Sequence, residues 1–463
     1  MSSLMHRRQF LATSGLAGLS LLGGLSLGRQ ARAEPLALTI QNARYALEAT
    51  PTEGMVSLSP DAPPPVLRLS RGQPFRAEVL NTLDAYTSMH WHGLRLPNVM
   101  DGVPYLTQVP LGQGDRYVYD FTPQDAGTFW YHPHCTTMEQ MAKGLTGLLI
   151  VEDERDPRFD LDLPVNLRDW RLGEDSQFID LYTARGAARN GTFGTLMTAN
   201  WASEPVYDVP AGGLVRFRLA ATDTTRVYRL QMPGAEGRVI ALDGHPVIDP
   251  VLWPGPEAPL VLGCGQRVDL AIRAPGQEGA ELVLQNDQPG GPRVLLRLRA
   301  VGADLRHDLG DLAPLAANPL PEPDLAQAEV LDFVFGWSPS DAPVNDGFCG
   351  SLGYTFWSIN RVAWPGDASG TGPLAELRLG QTYILRLRNE SPNDHPIHLH
   401  GMVFKPLRSN RREVSGNWVD TAMLLAEETM EVALVADNPG DWAFHCHVIE
   451  HQKTGLTAYL RVA

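Results

Sequence analysis

The chain of 463 residues contains only four cysteines, Cys135, Cys264, Cys349 and Cys446, too few for a disulfide-stapled scaffold. If Cys446 serves a metal, as its neighbours suggest below, at most one bridge can form among the other three. One thiol is then left over, and spacing does not say which. Long apolar runs are missing as well. Beyond the first 33 residues no stretch approaches the roughly 18 residues that span a bilayer, so no membrane partner is expected for the mature chain. Basic charge is in deficit: 38 Lys and Arg face 53 Asp and Glu, for a formal net charge of −15. Neither nucleic acid nor an anionic membrane suits such a surface.

The N-terminus reads as a targeting segment, residues 1–33. HRRQFLA (6–12) carries Arg7–Arg8 ahead of a Gly/Leu/Ala-rich run, and Ala31–Arg32–Ala33 forms a small-residue cleavage site. Paired arginines before a mild apolar region resemble a twin-arginine (Tat) export signal. The expected location is periplasmic or secreted, with the Tat export machinery as a transient partner.

The remaining length exceeds what one hydrophobic core supports, so two or three domains are expected. An internal repeat divides it. LRLSRGQPFRAEVLN (67–81) leads into HWHG (90–93), and LRLGQTYILRLRN (377–389) leads into HLHG (398–401). A second matched pair follows, GTFWYHPHC (127–135) and GDWAFHCHV (440–448). Between them, VPAGGLVRFRLAA (209–221) is a third copy with RVYRL (226–230) in place of histidines. Alternating apolar and polar residues with 44 Gly and 37 Pro indicate short strands joined by turns. The expected fold is all-β, with Greek-key β-sandwich domains at 34–157, 158–305 and 325–463 and a connection around 303–328.

Ten of the 13 histidines fall in four motifs: His90, His92, His132, His134, His395, His398, His400, His445, His447 and His451. His245 and His307 lie outside and are expected to be turn or surface residues; His6 belongs to the leader. On a strand, residues i and i+2 share a face and i+1 faces the other way. Each H-x-H pair can therefore present two imidazoles to one site, while Cys446, between His445 and His447, points to another. His395 shares that opposite parity and His451 follows the strand end. Eight histidines thus form one set, and Cys446, His395 and His451 form a His₂Cys set of the blue-copper type. Leu456 stands ten residues after Cys446, where an axial Met would be expected, and cannot coordinate. Zinc fits poorly, because it wants four ligands and has no use for eight histidines beside a separate thiolate.

HWHG, HPH, HPIHLHG and HCHVIEH together resemble the four copper motifs of the three-domain multicopper oxidases, the laccase-like family, across essentially the whole mature chain. The resemblance implies three cupredoxin-like domains and four Cu per chain. Type 1 copper would take His395, Cys446 and His451. Type 2 would take His90 and His398. The type 3 pair would take His92, His132 and His447, and His134, His400 and His445. It further implies one-electron oxidation of a reductant at type 1 copper through the edge of His451. Electrons would pass from Cys446 to its neighbours, and O₂ would be reduced to water. Asp101 occupies the place of the family's carboxylate beside the cluster. Gln452 replaces a Glu that many bacterial relatives carry; either Glu450 or a water chain takes the proton relay, or O–O cleavage is slower. The reductant is expected to be a small phenol or aromatic amine. Cu(I) is the alternative, although the 12 methionines are scattered and the nearest pair, Met138 and Met141, suits core packing. A copper-free cell-division scaffold is disfavoured by the full ligand set. A monomer is expected.

Overall fold

A computed structural model describes residues 34–253, 259–344, 347, 349–366 and 371–463. The leader and its cleavage site lie outside the described residues. Among the described residues no helix is long and apolar enough to cross a membrane.

Three pairs of β-sheets follow one another along the chain. In the first, Leu36–Tyr45, Thr52–Ser57, Phe75–Asn81 and Arg116–Phe121 form one sheet, and Leu67–Ser70, His90–His92, Gly127–His132 and Gly147–Glu152 form the other. Several consecutive strands leave one sheet for its partner, and parallel pairs arise, such as Leu67–Ser70 beside Gly147–Glu152. Ile40, Val79, Trp91, Phe129 and Leu149 fill the space between the sheets. The middle pair has six and five strands and the last has five and five, each around its own core. The architecture is all-β, built from Greek-key sandwiches.

Burial along each strand tells which faces are covered. LRLS at 67–70 alternates buried and exposed, as a strand with one wet face should. Gly127–His132 and His395–Leu399 are buried at every position, so their second face also meets protein. In the middle repeat Tyr228 and Leu230, from the strand that replaces the histidines, point into that repeat's own core.

The middle repeat is held to the others by buried charge. Arg218 donates to Thr128 Oγ1 at 2.9 Å and to Asp269 at 3.0 Å. Arg267 donates to the Thr128 carbonyl and, through two nitrogens, to Asp420 at 2.9 and 2.6 Å. The connecting segment crosses the same region. Asn318 bonds Ala126 N and O at 2.8 and 3.0 Å, and Arg95 donates to the Pro319 carbonyl.

Cys135 and Cys349 form the single disulfide among the described residues, joining positions 214 apart. Cys264 and Cys446 are free and buried. In denaturant, metal-free protein should show two reactive thiols without reductant and four after reduction. Four before reduction would contradict the bridge.

Candidate metal centre

Two pairs of neighbouring strands carry the histidine motifs. His90 lies directly opposite His132 in one, and His398 lies opposite His445 in the other. Opposed residues point to the same face, so these four imidazoles converge. One step along the register, Ile397 lies opposite Cys446 and both face the other way. His395, two residues before Ile397, shares that face. His451 joins it from the short helix Ile449–Lys453. The alternation expected from the sequence is thus the alternation found.

The eight-histidine group is closely gathered. Ring centroids of His92, His132 and His447 lie 4.9 to 5.8 Å apart, and those of His134, His400 and His445 lie 5.1 to 5.4 Å apart. His90 and His398 are 6.2 Å apart; His90 stacks on His400 and His92 on His398. Hydrogen bonds on the outer side decide which nitrogen faces inward. His90 Nδ1 donates to the Asp101 carbonyl, His132 Nδ1 to the Pro133 carbonyl and His445 Nδ1 to the Cys446 carbonyl. His400 Nδ1 donates to Asp101 Oδ2 at 2.8 Å. Their Nε2 atoms are left bare toward the centre. His92 is reversed: Nε2 meets Asp420 Oδ1 at 3.2 Å, and Nδ1 has no hydrogen-bond partner.

In the smaller group the nitrogens exchange roles. His395 Nε2 meets Ser391 Oγ at 2.9 Å, and His451 Nε2 donates to the Arg189 carbonyl. Their Nδ1 atoms lie 3.0 Å apart and each is 3.6 Å from Cys446 Sγ. Leu456 is fully buried beside them, its backbone bonded to Cys446 and His451. The edge of His451, expected to take the electron, is covered. His451 is 0 % exposed, covered by Arg189 and by Trp357, whose ring centroid is 4.8 Å away.

Electrostatics agree with a cation at both places. Burial first, and neighbouring imidazoles second, hold His132, His134, His400 and His447 well below the usual 6.5. His445 is pushed down to about 3 and His451 to about 4, chiefly by burial. Neutral imidazoles are the ligating form. His400 Nε2 and His445 Nε2, both bare because each Nδ1 donates outward, then face each other at 3.0 Å, and His395 Nδ1 and His451 Nδ1 lie equally close. Lone pairs so opposed repel unless a metal ion lies between them. Burial also pushes the Cys446 thiol up, so its thiolate needs a cation. Sets of three donors able to hold a metal include His395, Cys446 and His451, and also His134, His400 and His445. Nitrogen and thiolate donors in threes suit copper.

Asp420 is a site residue that the sequence did not disclose. It is fully buried, meets His92 and His398, and is gripped by Arg267. Burial alone would raise its pKa, but Arg267 and the imidazoles hold it well below the carboxylate range. Its one visible signal is an acid inside a strand-like apolar run, NWVDTAMLL. Gly93, which closes HWHG, has φ of +86°, and an added Cβ would lie 2.4 Å from Arg267 and 2.6 Å from Asp420; the motif glycine makes room for that ion pair. Glu450 does not reach the histidines. Its carboxylate accepts from Thr192 N and Oγ1 and from Thr225 Oγ1, which ties the third repeat to the second. Gln452 does reach them, its Nε2 lying 3.4 Å from His134 Nε2. His245 is buried at a strand start, bonded to Asn318, contrary to the expected turn or surface position. His307 is exposed and pairs with Asp160.

Family models described as multicopper oxidase match residues 39–156 and 348–463. The crystal structure of a multicopper oxidase from Pseudomonas thermotolerans is 40% identical, covering 93% of this chain and 99% of that one, with a TM-score of 0.83. The chain belongs to the multicopper oxidases. A multicopper oxidase of Mycobacterium tuberculosis is 28% identical, covering 91% of this chain and 86% of its own. A laccase of Fomitopsis schrenkii is 27% identical, covering 91% and 85%. As a multicopper oxidase the chain is a copper-dependent oxidoreductase with O₂ as acceptor, and its sandwiches are cupredoxin-like.

The buried imidazoles also set the pH behaviour of the metal-free oxidase. Unfolded histidines take up protons near 6.5, but His451 does so only near 4 and His445 near 3. Between those values the unfolded state binds more protons, so stability falls as pH falls. The melting temperature of metal-free protein should drop steadily from pH 7 to pH 4. A flat profile would mean these histidines are not buried in neutral form.

Proposed function

We propose that this multicopper oxidase acts as a laccase, oxidising phenols or aromatic amines one electron at a time and reducing O₂ to water. The observation that carries the proposal is the pleat at Cys446, which sets a His₂Cys group on one face and His445 on the other, facing seven further histidines. Four Cu per chain would be held: type 1 by His395, Cys446 and His451, type 2 by His90 and His398, and type 3 by His92, His132 and His447 and by His134, His400 and His445. Bound copper would supply one-electron acceptance at the first group and electron delivery to O₂ at the others. The domains would be 34–157, 158–305 and 325–463, in a monomer exported through the Tat machinery to the periplasm or beyond.

The chain's own groups orient and dry these sites. Asp101 holds His400 through Oδ2, and its Oδ1, 3.3 Å from His90 Nδ1, is the carboxylate oxygen suited to hold a proton for the cluster. Glu450 is committed to Thr192 and Thr225, and Gln452 cannot release a proton. Water is therefore the relay we propose, in a cavity of about 190 Å³ lined by His134, Gln452, Tyr105 and Asp441. The same cavity suits O₂ arrival.

Organic donors are favoured over Cu(I) by where the thioethers lie. No described methionine is exposed, and Met138 and Met141 sit in a core with Trp130 and Ile449. Soft thioether donors would be needed on the surface to collect Cu(I). Turnover of a phenol and of Cu(I), compared with oxygen uptake recorded, should favour the phenol; a larger kcat/KM for Cu(I) would reverse the assignment. Copper-loaded protein should be blue with about four Cu per chain, and Cys446→Ser should lose colour and oxidase activity while keeping about three. Leu456→Met should lower the type 1 potential. An unchanged potential would remove Leu456 from the axial position.

A further inference from the structure

His451 offers no exposed edge, yet an aromatic path leads outward from it. Trp357 is fully buried and lies against both histidines of the His₂Cys group, 5.0 Å from His395 and 4.8 Å from His451 between ring centroids. Its indole nitrogen donates to the Ala187 carbonyl at 2.7 Å, which fixes the ring. Trp337 stacks on it, with centroids 4.3 Å apart and planes 16° apart. Backbone register sets this stack. Trp337 lies opposite Trp357 in the antiparallel pair Glu329–Trp337 and Trp357–Ile359, so both indoles occupy one face. Trp337 is 39 % exposed. Single exposed apolar side chains are common and need no function, but this one is one ring removed from both histidines beside Cys446.

We infer that Trp337 is the binding platform for the aromatic reductant and that the Trp337–Trp357 stack carries its electron inward, an inference that rests on the laccase assignment above. A planar, electron-rich phenol or aromatic amine stacks on the exposed indole. The donor gives up one electron, and a phenol then loses its hydroxyl proton to water. The electron would cross the two stacked indoles to a Cu(II) ion held by His395, Cys446 and His451, which would accept it and become Cu(I). Both indoles end the step unchanged. Because the platform is at the surface, the end of a phenolic polymer can use it without entering a pocket.

The test compares wild type with Trp337→Ala and Trp337→Phe, both at a surface position. Binding of 2,6-dimethoxyphenol to metal-free protein is measured by calorimetry. Bleaching of the blue band in copper-loaded protein, without O₂, is measured with that phenol and with ascorbate. Trp337→Ala should weaken phenol binding about five- to tenfold, the worth of one aromatic stack, and slow phenol bleaching at least as much. Trp337→Phe should recover most of both; ascorbate, which cannot stack on an indole, should lose less than the phenol in Trp337→Ala, and the blue spectrum should be unchanged. Equal phenol binding and bleaching in all three proteins overturns the inference and moves electron uptake to the Arg189 side. Wild-type protein that is not blue, or is not bleached by the phenol, sinks the laccase assignment instead; loss of phenol binding in metal-free Trp337→Ala would still support the platform.

Discussion

Adjacent residues of an extended strand cannot face the same way, and at Phe444–His447 this rule separates two chemistries by a single peptide unit. Cys446 belongs to one group of donors, while His445 faces the histidines gathered from the other end of the chain. Neither group can shift without moving the other, because both hang on one backbone. Short separation is also what electron transfer between them requires. The rest of the fold serves to hold a second H-x-H strand pair from the first repeat against this one, with His90 opposite His132 as His398 is opposite His445.

That juxtaposition depends on the repeat that carries no donor of its own. Arg267 and Arg218, from strands of the middle repeat, reach Thr128 in the first repeat, and Arg267 also grips Asp420 in the third. Buried ion pairs of this kind are costly to leave half made, so they fix geometry even where they add little net stability. The same repeat supplies the Arg189 carbonyl over His451 and the Thr192 anchor for Glu450. It acts as clamp and cover. It carries none of the histidine motifs, and its contribution lies in the faces it presents to its neighbours.

Covering the His₂Cys group has a consequence for reactivity. A buried histidine bonded to a backbone carbonyl cannot meet a substrate edge-on, so electrons must cross protein to reach it. The Trp337–Trp357 stack is the aromatic contact that joins the surface to that group. A separate cavity, at His134 and Gln452, reaches the histidine cluster. Reductant and O₂ would thus meet different residues, since neither Trp337 nor Trp357 lines that cavity.

The donors themselves were legible without coordinates, because strand parity is a local property: which side His445, Cys446 and His447 face follows from period two alone. The repeat and the all-β class were legible for the same reason, through alternation and turn residues at regular spacing. Cys446 could be set apart from Cys135, Cys264 and Cys349 by its flanking histidines, but pairing the others needed the fold, since Cys349 comes to Cys135 from 214 positions away. Asp420, the inward-facing nitrogen of each imidazole, the diversion of Glu450 to Thr192 and the cover over His451 were likewise decided only by tertiary structure. Each is a contact between side chains or carbonyls remote in sequence, and no local pattern records what a strand will find across a sandwich. The sequence by itself determined which residues can bind metal and how they divide. The tertiary structure decided what surrounds them, and with it where electrons and protons can come in.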